Sequence, residues 1–177
     1  MYAYEDNFLE VQDCQSVMLH AYRNLENLHG DLNFVFTTIE ECFQQNNFES
    51  KCIVYASRYF DLSKMIGYEI WYNIGNVQTS WHIDKDEKKM RESNVLSLPI
   101  CTITYYPHIQ KNEGGGELLF RDYEIESIRP ETNRIVCFDP GISHRVNEFN
   151  FERVSVIICP WTYPVEKYIG EKYRIND

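Results

Sequence analysis

Ser80-Trp81-His82-Ile83-Asp84 is the stretch on which the reading of this chain turns. His82 and Asp84 stand two apart, and on an extended strand that spacing sends both side chains to the same face. Two metal-ligand types therefore converge without help from a loop. Working outward, His144 follows the turn signal Asp139-Pro140-Gly141 and opens another strand-like run, so a third ligand can arrive from a different strand of the same sheet or barrel. Two imidazoles and one carboxylate on one face of a metal, with the other positions open, are the set associated with non-haem Fe(II) that activates O2. His82, Asp84 and His144 are thus the candidate metal ligands and catalytic residues. A His-x-Asp pair taken alone is weak evidence, since it also occurs as a surface hydrogen bond; the weight rests on the combination and its order.

The surrounding pattern is that of a β protein with a helical start. Met18, Ala21, Tyr22, Leu25 and Leu28 recur at spacings of three and four before Gly30, which predicts a helix within the first ~30 residues. Thr38-Ile39-Glu40-Glu41 fits a capping box and predicts a second, short helix through Phe43. From Cys52 onward, runs rich in β-branched and aromatic residues, bounded by Gly, Pro, Asn or Asp, predict strands. They cover Cys52 to Ala56, Tyr68 to Tyr72, Thr79 to Asp84, Ile100 to Tyr106, Glu117 to Arg121, Arg134 to Phe138, His144 to Val146 and Arg153 to Pro160. So many short strands after a helical section suggest a jelly-roll sandwich. A chain of 177 residues fits one domain, divided in this reading into a helical buttress over 1–50 and a β core over 51–165.

With these residues in order, the segment from Tyr72 to Trp161 resembles the Fe(II)/2-oxoglutarate-dependent dioxygenases, and within them the prolyl-hydroxylase branch. Gly115-Gly116-Glu117-Leu118-Leu119-Phe120 is similar to that branch's Gly-Gly-Glu strand opening, and Arg153-x-Ser155 to its Arg-x-Ser clamp on 2-oxoglutarate. The resemblance implies a double-stranded β-helix (jelly-roll/cupin-like) that is mainly β, with N-terminal helices packed on one sheet. It also implies Fe(II), 2-oxoglutarate as cosubstrate, and O2, with succinate and CO2 as coproducts of hydroxylation.

In this reading Arg153 meets the distal carboxylate of 2-oxoglutarate, for which a planar, permanently charged fork is suited. Ser155, two residues on, shares that face. The alternative for Arg153 is an ion pair with Glu148 or Glu152, which the apolar run Val156-Ile157-Ile158 argues against, because an arginine in such a strand needs a buried anion. By resemblance, Tyr106 and Tyr72, the latter ten positions before His82, are further cosubstrate contacts; the bland alternative for each is a core tyrosine. Asp139-Pro140-Gly141 departs from the aromatic-rich approach to the second histidine in several relatives, which leaves substrate identity open.

Composition excludes other classes. A net charge of −10 and pI near 5.0, with no basic stripe, argue against a dedicated nucleic-acid binder. The start Met1-Tyr2-Ala3-Tyr4-Glu5-Asp6 has neither a cationic nor an apolar region, and no run reaches membrane-spanning length, so a soluble cytoplasmic protein is expected. Six cysteines without a C-x-x-C pair read as reduced thiols. The charged stretch Lys85 to Asn94 reads as a loop lining the site entrance. Gly114-Gly115-Gly116 reads as a turn without chemistry of its own.

The leading function is hydroxylation of a prolyl or other residue in a peptide or protein. A first rival is an oxygenase of a free amino acid or metabolite, and a second is a sensor module that binds metal and 2-oxoglutarate without turnover.

Overall fold

The computed structural model describes residues 1–27, 35–44, 47–110, 114–121 and 127–166. In chain order its elements are β1 (Tyr2–Glu5), α1 (Val11–Asn27), β2 (Val35–Thr38), α2 (Ile39–Gln44), α3 (Phe48–Ala56), β3 (Gly67–Gly75), α4 (Glu87–Ser93), β4 (Thr102–Ile109), β5 (Leu118–Phe120), β6 (Ser127–Ile128), β7 (Arg134–Phe138), β8 (His144–Val146) and β9 (Arg153–Trp161). The strands form two antiparallel sheets, one of six strands in the order β1-β7-β4-β9-β3-β2 and one of three in the order β6-β5-β8. This is the double-stranded β-helix arrangement, mainly β with helices on one side. The β9 strand is buried along its whole length, because it lies mid-sheet between β4 and β3 and is covered on both faces. Its near-continuous apolar sequence follows from that position.

Period-two alternation assigns the two faces of the large sheet. Tyr68, Ile70, Tyr72, Ile103, Tyr105, Val154, Val156 and Ile158 point to the helix side, where Cys14, Val17 and Ala21 of α1 and Cys52, Ile53 and Tyr55 of α3 complete the main core. The other face looks at the small sheet. There Tyr106, Val136 and Phe138 pack against Leu118, Phe120 and Ile128, with the Phe120 and Phe138 rings edge to face at 5.2 Å. Sheet-on-sheet packing therefore leaves an interior between the two layers, and the polar residues of β3, β4 and β9 face into it.

Several expected elements are found as read. The Arg134–Phe138 and His144–Val146 strands have the predicted bounds, and the capping box is formed: Glu41 Oε2 accepts from the Thr38 amide at 3.0 Å and from Thr38 Oγ1 at 2.8 Å. The helix α1 carries its buried face on Cys14, Val17 and Ala21, at steps of three and four; Leu28 and Gly30 lie outside the described residues.

Other expectations are corrected. Cys52 to Ala56 is the second half of α3, not a strand. Asn47 caps that helix by accepting from the Ser50 amide at 3.1 Å, and burial of Cys52, Ile53, Tyr55 and Ala56 overrides the β preference of a Cys-Ile-Val run. Thr79 to Asp84 is not a regular strand and is tied to β8 by one bridge, His82 to His144. Lys85 to Asn94 is mostly helix: Asp86 caps α4 by accepting from the Lys89 amide at 2.8 Å, and Asn94 ends it in the left-handed conformation at φ 53°. The 1–50 segment is not purely a helical buttress either, since β1 and β2 form the two edges of the large sheet. Gly67, where β2 and β3 meet, has no room for a side chain, as an added Cβ would lie 2.5 Å from the Thr37 carbonyl oxygen.

Candidate active site

The His82–His144 bridge is what assembles the site. The His82 amide donates to the His144 carbonyl at 3.0 Å and the His144 amide to the His82 carbonyl at 2.8 Å, so both imidazoles leave adjacent backbones, with ring centroids 4.4 Å apart. One ligand atom from each of His82, Asp84 and His144 lies within 4.8 Å of the others. His82 Nε2 is 3.9 Å from Asp84 Oδ1, and His144 Nε2 is 3.5 Å from Asp84 Oδ2.

The other ring nitrogens define the tautomers. His82 Nδ1 lies 2.7 Å from the Ser80 carbonyl oxygen and His144 Nδ1 lies 2.9 Å from that of Ile142; a carbonyl only accepts, so both Nδ1 atoms carry protons. Burial holds the His144 imidazole below its ordinary pKa; the Asp84 carboxylate opposes this and His82 reinforces it. With Nδ1–H of both rings held by backbone carbonyls, the two Nε2 atoms face a buried carboxylate, a convergence of ligand types that fits a divalent cation. Asp84 Oδ2 also accepts from Thr102 Oγ1 at 2.6 Å.

Arg153 begins β9 and is 2 % exposed. Its Nη1 donates to the Gly116 carbonyl at 2.9 Å, its guanidinium carbon lies 4.6 Å from the Phe149 ring centroid and 5.7 Å from that of Tyr106, and its Nε has no hydrogen-bond partner among the described residues. Among the described residues no carboxylate is within ion-pair distance. Glu152 instead accepts from the Tyr22 hydroxyl, so the surface ion pair considered for Arg153 is not formed. A buried guanidinium of this kind fits an anion brought by a ligand, since removing the charge from water is costly unless an opposite charge meets it.

The glycine triplet, read as a turn alone, does more. Gly115 and Gly116 adopt φ of +88° and +73°, and a Cβ on Gly115 would meet the Glu148 carbonyl oxygen at 2.3 Å, so small residues bring the backbone close enough for Gly116 to hold Arg153.

The cavity between the sheets brings the triad together with Tyr106, Arg153 and Ser155. Burial raises the Tyr106 phenol above its usual pKa, with Arg153 acting the other way, so it stays protonated as a donor. Tyr72 is not in the cavity. Alternation puts it on the helix side, its ring 5.8 Å from that of His20, while its neighbours Trp71 and Asn73 line the site; the proposed cosubstrate contact by Tyr72 is therefore withdrawn. Asn73 pairs with Ser155 across β3 and β9. Thr79, Thr102 and Thr104 also line the cavity. None of these was named from sequence. The signal available was alternation from Arg153 and Ser155, but using it required knowing which strands pair.

Residues 70–162 match the family model described as the 2OG-Fe(II) oxygenase superfamily. The chain belongs to this superfamily. As one of its oxygenases it works with Fe(II), 2-oxoglutarate and O2, and a His-Asp-His triad able to hold a metal ion is present. Its fold is similar to that of a Pseudomonas putida prolyl-4-hydroxylase, at TM-score 0.66 and 15 % identity over 92 % of this chain and 93 % of that one. It is also similar to a viral collagen prolyl hydroxylase from Paramecium Bursaria Chlorella virus-1 in its 2OG complex, at TM-score 0.61 and 14 % identity over 90 % of this chain and 95 % of the other. A prolyl hydroxylase from Trichoplax adhaerens, in complex with a hypoxia inducible factor oxygen degradation domain peptide fragment, aligns at TM-score 0.61 and 15 % identity over 91 % and 83 %. No curated protein sequence matches the chain.

Proposed function

We propose that this oxygenase hydroxylates a C–H bond of a prolyl or other residue in a peptide or protein. One O2 and one 2-oxoglutarate are consumed; one oxygen atom enters the product as hydroxyl and the other enters succinate as CO2 is lost. The observation that carries the reading is Arg153, a buried guanidinium that meets no carboxylate among the described residues and lines the same cavity as His82, Asp84 and His144.

In this reading His82, Asp84 and His144 hold Fe(II), which supplies the redox chemistry for activating O2. Arg153 anchors the distal carboxylate of 2-oxoglutarate, Ser155 and Tyr106 add hydrogen bonds beside it, and the Gly116 carbonyl keeps the guanidinium aimed inward. The apolar layer of Leu118, Val146 and Ile157 excludes water, which strengthens each of these contacts.

A peptide or protein substrate is supported by the segment that leaves α4. Val95, Leu96 and Leu98 there are 44 %, 53 % and 37 % exposed, and the segment is tied to Asp86, two residues after Asp84, whose amide donates to the Ser97 carbonyl at 2.9 Å. Exposed apolar side chains on a segment tethered next to a ligand residue fit an extended partner better than a small polar metabolite. The chain as one catalytic domain, working in the cytoplasm, completes the reading; six buried free cysteines suit a reducing compartment. The test is an unbiased mass search for products that gain one oxygen atom, in peptide and metabolite pools separately, with Asp84→Ala as control. A product only in the metabolite pool would replace the peptide reading. Loss of 2-oxoglutarate-dependent turnover in wild type would overturn the reading altogether.

A further inference from the structure

Asp84 is the one carboxylate among the three proposed ligands, and its orientation is set from outside the triad. Thr102, the first residue of β4, donates to Asp84 Oδ2 at 2.6 Å, and both residues are buried. The direction of this bond is determined by what each group can do. A carboxylate only accepts, a hydroxyl has one proton and two acceptor sites, and Cys159 Sγ lies 3.9 Å from the same hydroxyl oxygen as a thiol donor. Burial pushes the Cys159 thiol far above its usual pKa, so its proton stays on sulfur. Donation therefore runs one way, from Cys159 through Thr102 to Asp84.

The backbones differ in how firmly they are held. Thr102 pairs with Phe138 of β7, and its neighbour Ile103 pairs with Ile158 of β9, so the donor sits on a strand held from both sides. Asp84 sits beyond the single bridge at His82, outside any regular strand. A β-branched side chain on a strand also has few χ1 choices, which makes Thr102 a stiff reference point. Without that donor the Asp84 carboxylate would be free to turn about its own bonds in a segment lacking a regular hydrogen-bond ladder.

We propose that Thr102 is a positioning residue for the metal centre, holding the Asp84 carboxylate in the orientation that converges with His82 and His144. The proposal rests on the reading of those three residues as metal ligands. Partners that orient a metal-ligating side chain are typically worth about 10–100-fold in metal affinity. They act on the metal without touching it.

The experiment is an anaerobic titration with Mn(II) alone, free ion being counted by its electron paramagnetic resonance signal, so that no turnover is needed. Thr102→Val removes the hydroxyl at nearly constant shape and is expected to weaken Mn(II) binding by about ten-fold or more, whereas Thr102→Ser, which keeps the donor, is expected to restore most of the affinity. Melting of the metal-free proteins checks that each variant is folded; if the valine variant is not, Thr102→Ala against Thr102→Ser makes the same comparison. Wild-type affinity in the variant without a hydroxyl, or equal weakness in the serine variant, overturns the proposal. Asp84→Ala and His82→Ala separate it from the reading beneath it: if they keep full Mn(II) affinity, the ligand assignment fails, and if they lose it while Thr102→Val does not, only the role of Thr102 fails.

Discussion

At the scale of single residues, the account depends on three contacts of one arginine and one missing partner. Arg153 has a carbonyl and two aromatic faces but no carboxylate among the described residues, so its charge is balanced only when an anion arrives. Arg153→Ala is expected to weaken 2-oxoglutarate binding by on the order of 2–5 kcal/mol while leaving metal affinity nearly unchanged, because the ligand's carboxylate would be buried alone. Arg153→Lys should recover part of the loss, since a point charge does not reproduce the fork. Separate metal and 2-oxoglutarate titrations without O2 read both quantities; equal cosubstrate affinity in wild type and Arg153→Ala would remove the residue from the site. The two tyrosines make a sharper contrast. Tyr106→Phe is expected to weaken 2-oxoglutarate binding and Tyr72→Phe to leave it unchanged, since only the first ring lies in the cavity. Here sequence reading reached its limit in a specific way. His82, Asp84, His144, Arg153 and Ser155 carry chemistry in their own side chains and spacing, whereas the face on which Tyr72 lies depends on which strands pair, and pairing is a long-range property that period-two alternation alone does not assign.

At the scale of elements, the segment after Asp84 shows local rules outweighing a compositional impression. Ten mostly charged residues suggest a solvated loop, yet Asp86 offers a cap, Glu87 pairs with Lys85 at 2.7 Å and with Arg91 at 3.7 Å, and Asn94 takes the left-handed stop, so the stretch is α4 with none of its residues buried. A helix with no buried face is held mainly by its ends. Asp86 caps it and accepts from the Tyr163 hydroxyl at 3.1 Å, and Lys88 pairs with Glu166. Asp86→Ala is therefore expected to cost about 1 kcal/mol through loss of the cap and to speed hydrogen exchange across residues 87–93 before the rest of the protein. Because α4 leaves directly from the metal segment while Arg153 lies deep between the sheets, the same variant should lower hydroxylation of the prime substrate and largely spare uncoupled succinate formation. Parallel loss of both activities would mean that the helix supports the whole site and does not only govern access. The second half of α3, Cys52 to Ala56, makes the complementary point. Its β-branched run resembles a strand, and only the Asn47 cap and burial at steps of three and four mark it as helix.

At the scale of the whole molecule, one interior carries both the chemistry and an electrostatic load. Glu69 faces the same interior as Trp71 and Asn73, is 6 % exposed, and is pushed up to about 8, first by burial and then by the Asp84 and Asp86 carboxylates. A carboxyl with a folded pKa above its unfolded value binds more protons in the folded state, so the contribution of Glu69 to stability is most favourable below about pH 4.5, falls as pH rises toward about 8, and levels off above it. In the metal-free protein Glu69→Gln should gain on wild type across that window, with the difference in melting temperature growing from acid to mild alkali; a difference independent of pH would mean that Glu69 is ionised throughout. The acidic balance that argued against nucleic acid is thus partly interior and sits next to the proposed metal site. The central claim is that His82, Asp84 and His144 hold Fe(II) within reach of 2-oxoglutarate anchored on Arg153. It is tested most directly by adding Fe(II) and then 2-oxoglutarate to the metal-free protein without O2 and recording the visible spectrum. A weak charge-transfer band should appear with one Fe(II) per chain and be lost in His82→Ala and in His144→Ala. A band of unchanged position and strength in both variants would contradict the account.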